Sequence, residues 1–204
     1  MNKIRIFYYR AIRGCVTIVS NALNKFALRF IHCAQYGTSF GTCGLLNVRN
    51  YSNQDGIVIG DDVFINSCRI ANPIGGDTKT SFFVGEGAKL RIGDGVKMSN
   101  VTLFTTKSIT IGSQTLLGGG TRIYDTDFHS IYAENRLNGN RDIASADVVI
   151  GRKCFIGSNV LILKGVTIGD EVVVGANSVI THDIPSREIW AGNPAKLIKK
   201  MINE

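Results

Sequence analysis

An all-β solenoid, a prism of short parallel strands, is the fold class this 204-residue sequence predicts, and three observations predict it. Aliphatic residues recur every six positions at Ile150, Ile156, Ile162, Ile168, Val174 and Ile180. Gly151, Gly157, Gly169 and Gly175 directly follow four of them. A further small or β-branched residue stands four places after the aliphatic one in most copies of the blocks IGRKCF, IGSNVL, ILKGVT, IGDEVV and VGANSV. A fixed short period marks a solenoid whose units bury a core only by stacking.

A helix would space apolar residues three and four apart, and a two-faced strand would alternate at two. A six-residue beat suits a triangular coil instead. Each block forms one flat face, the aliphatic side chain points inward, and glycine or a turn former rounds the corner. Three blocks make one coil, and neighbouring coils pair as parallel strands about 4.8 Å apart.

Residues 1–54 come first, as a basic helical segment leading into the first coil. Ile4, Phe7, Tyr8, Ala11, Ile12, Cys15, Ile18, Val19, Ala22, Leu23, Phe26 and Phe30 recur at helical spacings, with Gly14 as a break. This quarter holds Lys3, Arg5, Arg10, Arg13, Lys25, Arg29 and Arg49 and no acid, whereas the remaining 16 cations balance all 16 acids. The net charge of +7 therefore belongs to this segment, which argues against a nucleic-acid-binding prism and for a basic patch at one end. Cations interrupt every apolar run, so neither a membrane span of about 20 residues nor a cleavable signal is expected. Two roles compete. A helical cap over the open end of the prism is preferred, because that end would expose core and strand edges; the other is an interfacial helix in peripheral contact with an anionic membrane. Cys15, Cys33, Cys43, Cys68 and Cys154 are odd in number and form no CxxC pair, which points to a reducing compartment. The expected location is cytoplasmic, at the inner face of the membrane if the helix is interfacial.

Residues 55–190 carry the prism. Upstream the beat returns at Ile59 and Ile65, at Ile92, Met98 and Phe104, and at Ile111, Leu117 and Ile123, with slips of about a residue between runs. It fails between Ile123 and Ile150, where IYDTDFHSIYAENRLNGNRDIASADVVI predicts a protruding loop over 124–147. Long insertions on compact scaffolds tend to be functional. Asp125, Asp127 and His129 stand at alternate positions, so an extended segment would project them to one side. A neutral imidazole near pH 7 can take a proton from a hydroxyl, and a nearby carboxylate or carbonyl can fix its tautomer. Zinc would need His32, His129 and His182 to converge, and their contexts argue against it, so no metal is expected. Cys154, inside a repeat, reads as packing. The closing IWAGNPAKLIKK ends the strand path at Asn193 and Pro194 and predicts a short helical tail within 191–204 that displays Lys196, Lys199 and Lys200.

With these motifs the chain resembles the hexapeptide-repeat acyltransferases over about residues 55–200, most strongly from Asp147 to Lys200. The resemblance implies a left-handed parallel β-helix, an exception to the usual right-handed crossover. It also implies a homotrimer with active sites between subunits and acetyl-CoA as acyl donor. TDFHSIY, followed by ASADVVIG, is similar to the TDxHPIY loop of sugar and capsular-polysaccharide O-acetyltransferases, with Ser130 where proline is usual. It implies His129 as general base for acetyl transfer to a sugar hydroxyl of a cell-surface polysaccharide or its precursor. Asp127 would position the ring or meet the acceptor, and Asp125 would be a weaker acceptor contact. By the same matching, Ser158 in FIGSN offers its backbone amide to the thioester. Ala176 in VGANS and Thr181 in VITHD take the pantetheine and adenine-side positions, and Lys196 and Lys199 meet the nucleotide phosphates. Phe155 borders the acceptor pocket where tryptophan is usual. The competing readings are an amino-sugar N-acetyltransferase, a serine or antibiotic acetyltransferase, and a non-catalytic β-helix module.

Overall fold

A computed structural model describes residues 3–53 and 55–201. The side chains of Lys3 and Ile4 lie outside the description, as do residues 202–204 of the expected tail. Successive blocks fall in turn on three parallel sheets, which form the three faces of a prism. The register is that of a stacked coil: Ile111, Ile150 and Ile168 are neighbours on the first face, Leu117, Ile156 and Val174 on the second, and Ile123, Ile162 and Ile180 on the third. All nine are buried, and so are Cys154, Val160, Val166, Val172 and Ser178 at the second inward position of each block. Each fully buried aliphatic contributes about 1.5–3 kcal/mol, so the stack itself is the core.

Two features of the beat differ from expectation. On the third face the inward residue is Leu103, and Phe104 points outward to stack on Phe83 at 4.1 Å. The corner before it is one residue short, turning through Asn100 at φ 53°. The glycine after each aliphatic does not supply the left-handed conformation either. That falls two residues later, on Lys153, Asn159, Glu171 and Asn177, at φ 57–60°. Gly157 is needed for close approach: a Cβ there would lie 2.6 Å from the Ala176 nitrogen of the next coil.

At the N-terminus α1, Lys3–Phe26, runs into a π-helical turn at Ala27–Ile31. Ser20, Asn24 and Leu28, four residues apart, share one helix face and are buried on the first coil. Leu28 joins the same core as Phe40. Asn24 Nδ2 donates to Thr42 Oγ1 at 2.8 Å and to the Gly44 carbonyl at 2.9 Å, while Leu46 N–H donates to Asn24 Oδ1 at 3.1 Å.

The C-terminal segment corrects an expectation. Ala195–Lys200 is a strand, not a helix, and pairs antiparallel with Glu188–Gly192 at the end of the second face. The last coil leaves an open row of backbone donors and acceptors, which a returning strand satisfies. AKLIKK has no apolar stripe at helical spacing to offer instead.

Candidate active site

The inserted loop leaves the third face after Tyr124 and rejoins the first face at Val148. Its root is a narrow neck, where Thr126 and Ser145 form an antiparallel bridge, Asp127 N–H donates to the Ala144 carbonyl, and Ala146 N–H donates to the Asp125 carbonyl. Asp125 fastens that neck to the coil below. Its fully buried carboxylate accepts from Thr105 Oγ1 at 2.5 Å, Thr106 N–H at 2.8 Å, Thr106 Oγ1 at 3.1 Å and Lys107 N–H at 2.7 Å. Asp125 is therefore a loop anchor and not the expected acceptor contact, since no lone pair faces solvent.

Asp125, Asp127 and His129 do not project to one side, because the segment is not extended: Phe128 sits at φ 63°. Its ring packs against Phe104 and Tyr124, with centroids 4.7 and 5.1 Å apart, and the reversal turns His129 outward. Asp127 does not meet the ring. Its carboxylate pairs with Lys164 Nζ at 2.8 Å, which ties the neck to the coil above. The partner of the imidazole is Asn140, whose Nδ2 lies 3.0 Å from His129 Nδ1. The amide orientation follows from its other contacts, because Ser130 N–H donates to Asn140 Oδ1 at 3.1 Å and Asn140 Nδ2 donates to the Phe128 carbonyl at 3.0 Å. Nδ1 is thus an acceptor, and the neutral ring carries its proton on Nε2. Ser130 explains its own departure from the motif: a proline there would lack the N–H that holds Asn140. The exposed tip carries a single helical turn, Ala133–Leu137, braced by Arg136 donating to the Ser130 carbonyl at 2.8 Å.

Ser158 and Ala176 occupy equivalent places on two neighbouring coils, at the corner between the second and third faces. The corner between the first and second faces shows what is missing there. Arg152 N–H donates to Asp170 Oδ1 at 2.7 Å, Asp170 N–H to Ser186 Oγ at 2.9 Å, and Asp61 N–H to Asp94 Oδ1 at 2.8 Å. At these three places a side chain of the next coil satisfies the amide, whereas among the described residues the Asp94 and Ser113 amides show no such partner. At the other corner the N–H groups of all three corresponding residues, Gly119, Ser158 and Ala176, meet no acceptor among the described residues. Unpaired backbone donors at a semi-exposed corner are a ready cradle for carbonyl or oxyanion groups.

Thr181 lies at the third corner, with its Oγ1 2.7 Å from His182 Nδ1. Phe155 is half exposed on the outer side of the second face, between Leu116 and Val173. Lys196 and Lys199 are exposed on the terminal strand, whereas Lys200 pairs with the buried Glu188 at 3.4 Å. Cys154 is no nucleophile: it is buried, its Sγ donates to the Gly169 carbonyl, and burial pushes its thiol up. Among the described residues no three His, Cys, Asp or Glu side chains gather into a metal-holding group.

A second insertion escaped the sequence reading. Residues 67–80 replace an ordinary corner between the second and third faces and fold up along it. Asn72 donates to Asn100 at 3.1 Å, and a Cβ on Gly119 would meet Asn72 and Gly75. The loop therefore reaches the coil directly beneath Ser158. The turn formers of ANPIGGDTKT were its available signal.

Residues 147–182 match the family model for the bacterial transferase hexapeptide (six repeats). The chain carries the bacterial transferase hexapeptide repeat. This hexapeptide chain is 37% identical over 102 residues to galactoside O-acetyltransferase of Escherichia coli strain K12, covering 50% of the chain and 49% of that protein. It is also 37% identical over 118 residues to WbbJ of the same strain, named as an O-acetyl transferase of lipopolysaccharide biosynthesis, covering 54% of the chain and 60% of that protein. The hexapeptide chain thus spans half to three-fifths of the length of these relatives. The hexapeptide-repeat acetyltransferase VCA0836 from Vibrio cholerae, also solved with acetyl coenzyme A, superposes at TM-score 0.60 with 24% identity. That alignment covers 98% of this chain and 94% of the other, and shows the shared fold.

Proposed function

We propose that the chain is an acetyl-CoA-dependent O-acetyltransferase, built on a left-handed coil, that acetylates a sugar hydroxyl of a cell-surface polysaccharide or its precursor. The observation that carries this reading is a pair of corners with complementary chemistry. One bears a loop anchored by buried Asp125 that presents an exposed imidazole; the other stacks Gly119, Ser158 and Ala176 with unpaired amides. In the reaction His129 takes the hydroxyl proton as the sugar oxygen attacks the thioester carbon. Ser158 N–H donates to the oxyanion that develops, and collapse expels the thiolate of coenzyme A, which the imidazolium then protonates. Taking that proton at Nε2 requires the ring to move its own proton to Nδ1, so His129 turns away from Asn140 when substrates bind. Ala176 and Thr181 would border the pantetheine and adenine ends, Lys196 and Lys199 the phosphates, and Phe155 with the 67–80 loop the acceptor.

The two corners flank opposite edges of the third face, so within one chain the base and the amide belong to different corners. A homotrimer with sites between subunits brings one chain's His129 to the next chain's Ser158. The test is acetyl-CoA turnover against a panel of sugars, amino sugars and oligosaccharides, with His129→Ala and Ser158→Pro. Each variant should lose about 10²- to 10³-fold in rate while still folding. Co-refolding the two variants in equal amounts should restore about a quarter of wild-type activity, because each mixed trimer contains one intact site. Full turnover by His129→Ala would sink the base assignment, and no recovery on mixing would sink the shared site.

A further inference from the structure

We propose that α1 is a membrane-surface helix, lying flat on an anionic bilayer with its apolar stripe in the headgroup region. The helix is docked the wrong way round for a soluble protein. The face turned to the prism is held by hydrogen bonds, through Asn24 as described and through Gly44 N–H donating to Ser20 Oγ at 2.9 Å. The face turned away is apolar. Phe7, Ile18, Val19, Leu23 and Phe26 fall within an arc of about 160° at 100° per residue. They are 73%, 73%, 58%, 52% and 59% exposed, and Phe30 continues the surface at 68%. An amphipathic helix on a globular protein turns that stripe inward. Here rotation is locked, because turning the stripe toward the prism would break every hydrogen bond of Ser20 and Asn24 with the first coil.

Charge selects the occupant. Residues 1–54 hold seven cations and no acid, so a second copy seated on the stripe would bring a second unneutralised basic segment. An anionic bilayer supplies the missing counter-charge. Arg5 and Lys25 stand at the two edges of the stripe at 100° per residue, within reach of lipid phosphates, while Arg10 and Arg13 turn toward Arg69 of the 67–80 loop. No helix among the described residues is long and apolar enough to cross a membrane, so the contact is interfacial. Such an anchor would hold the prism against the lipid surface, independently of whether the corners transfer acetyl groups.

The test is co-sedimentation of the full chain with phosphatidylcholine vesicles and with vesicles that also contain phosphatidylglycerol. The expected result is binding to the mixed vesicles that falls as salt rises. Ile18→Asp with Phe26→Asp should abolish binding without lowering the melting temperature, since both side chains are exposed. Arg5→Gln and Lys25→Gln should each weaken binding about fivefold. Failure of the wild-type chain to sediment with mixed vesicles would overturn the proposal. So would a finding that the Ile18→Asp, Phe26→Asp protein still binds, or that it instead splits a larger assembly in sedimentation velocity, which would assign the stripe to a second copy.

Discussion

Asp125→Ala should release the 124–147 loop without touching His129. The carboxylate accepts four hydrogen bonds from Thr105, Thr106 and Lys107 in the coil below, at 2.5–3.1 Å. The two hydroxyls can rotate to other acceptors, and Thr106 Oγ1 already lies 3.0 Å from Ser145 Oγ. The backbone N–H groups of Thr106 and Lys107 cannot. Leaving two partly buried donors unpaired costs about 1–3 kcal/mol each, and a water entering the vacated space recovers part of it, so about 3 kcal/mol is expected. For a chain of this size that corresponds to a fall of about 6–12 °C in melting temperature. Because a solenoid can open locally, amide hydrogen exchange is the sharper assay. Protection should fall at Thr106 and Lys107 and along 125–146, while Ile156 and Val174 keep theirs. Asp125→Asn should behave much like the alanine variant, since an amide nitrogen would face N–H donors. A melting temperature within about 1 °C of wild type, with unchanged protection at Thr106 and Lys107, would refute the anchor.

Nitrogen NMR of His129 in the free protein should report the Nε2–H tautomer in the neutral ring, and Asn140→Ala should shift the balance toward Nδ1–H; a wild-type Nδ1–H pattern would contradict the Asn140 contact. Ile156→Ala, at a position without solvent exposure, should cost about 2–5 kcal/mol in denaturant melts, and a loss below about 1 kcal/mol would mean the stack is not the core. Stability should decline in acid below about pH 4. Hydrogen bonds from Thr38 Oγ1 and the Ser39 and Thr38 amides hold the Asp61 carboxyl below its ordinary range, and the Arg152 amide followed by its guanidinium does the same for Asp170. Both folded values are depressed, so the unfolded chain binds more protons in that window and stability rises with pH through it. Asp170→Asn should flatten the acid limb, and an unaltered limb would exclude Asp170 from it.

The prism was legible because an inward aliphatic every six residues leaves a mark that no other architecture makes, as Ile150 to Ile180 show. Phe104 misled because one missing corner residue at Asn100 moves the inward position by one, and nothing in the local composition announces a shortened corner. His129 stood out by its isolation within the broken beat, but its surroundings did not. Asp125 and Asp127 were placed by assuming an extended segment, and a single left-handed Phe128 defeats that assumption. Asn140, eleven residues away, reaches the ring only through the fold of the loop tip. The terminal strand was missed for a related reason: its partner edge exists only once the last coil has formed.

The bare corner at Gly119, Ser158 and Ala176 places binding and robustness in direct opposition. On the neighbouring corner Asp170, directly after its glycine, closes the Arg152 amide onto the next coil, and the same substitution is available here as Ala176→Asp. It would hand Ser158 N–H an internal acceptor and add the hydrogen bond this corner lacks. The chain would become harder to melt and would lose the free donor that the proposed acetyl transfer requires. A search for stabilised variants that ignores activity should therefore converge on acids at 158 and 176, and so would mark out the proposed ligand-binding edge by where stability is easiest to gain.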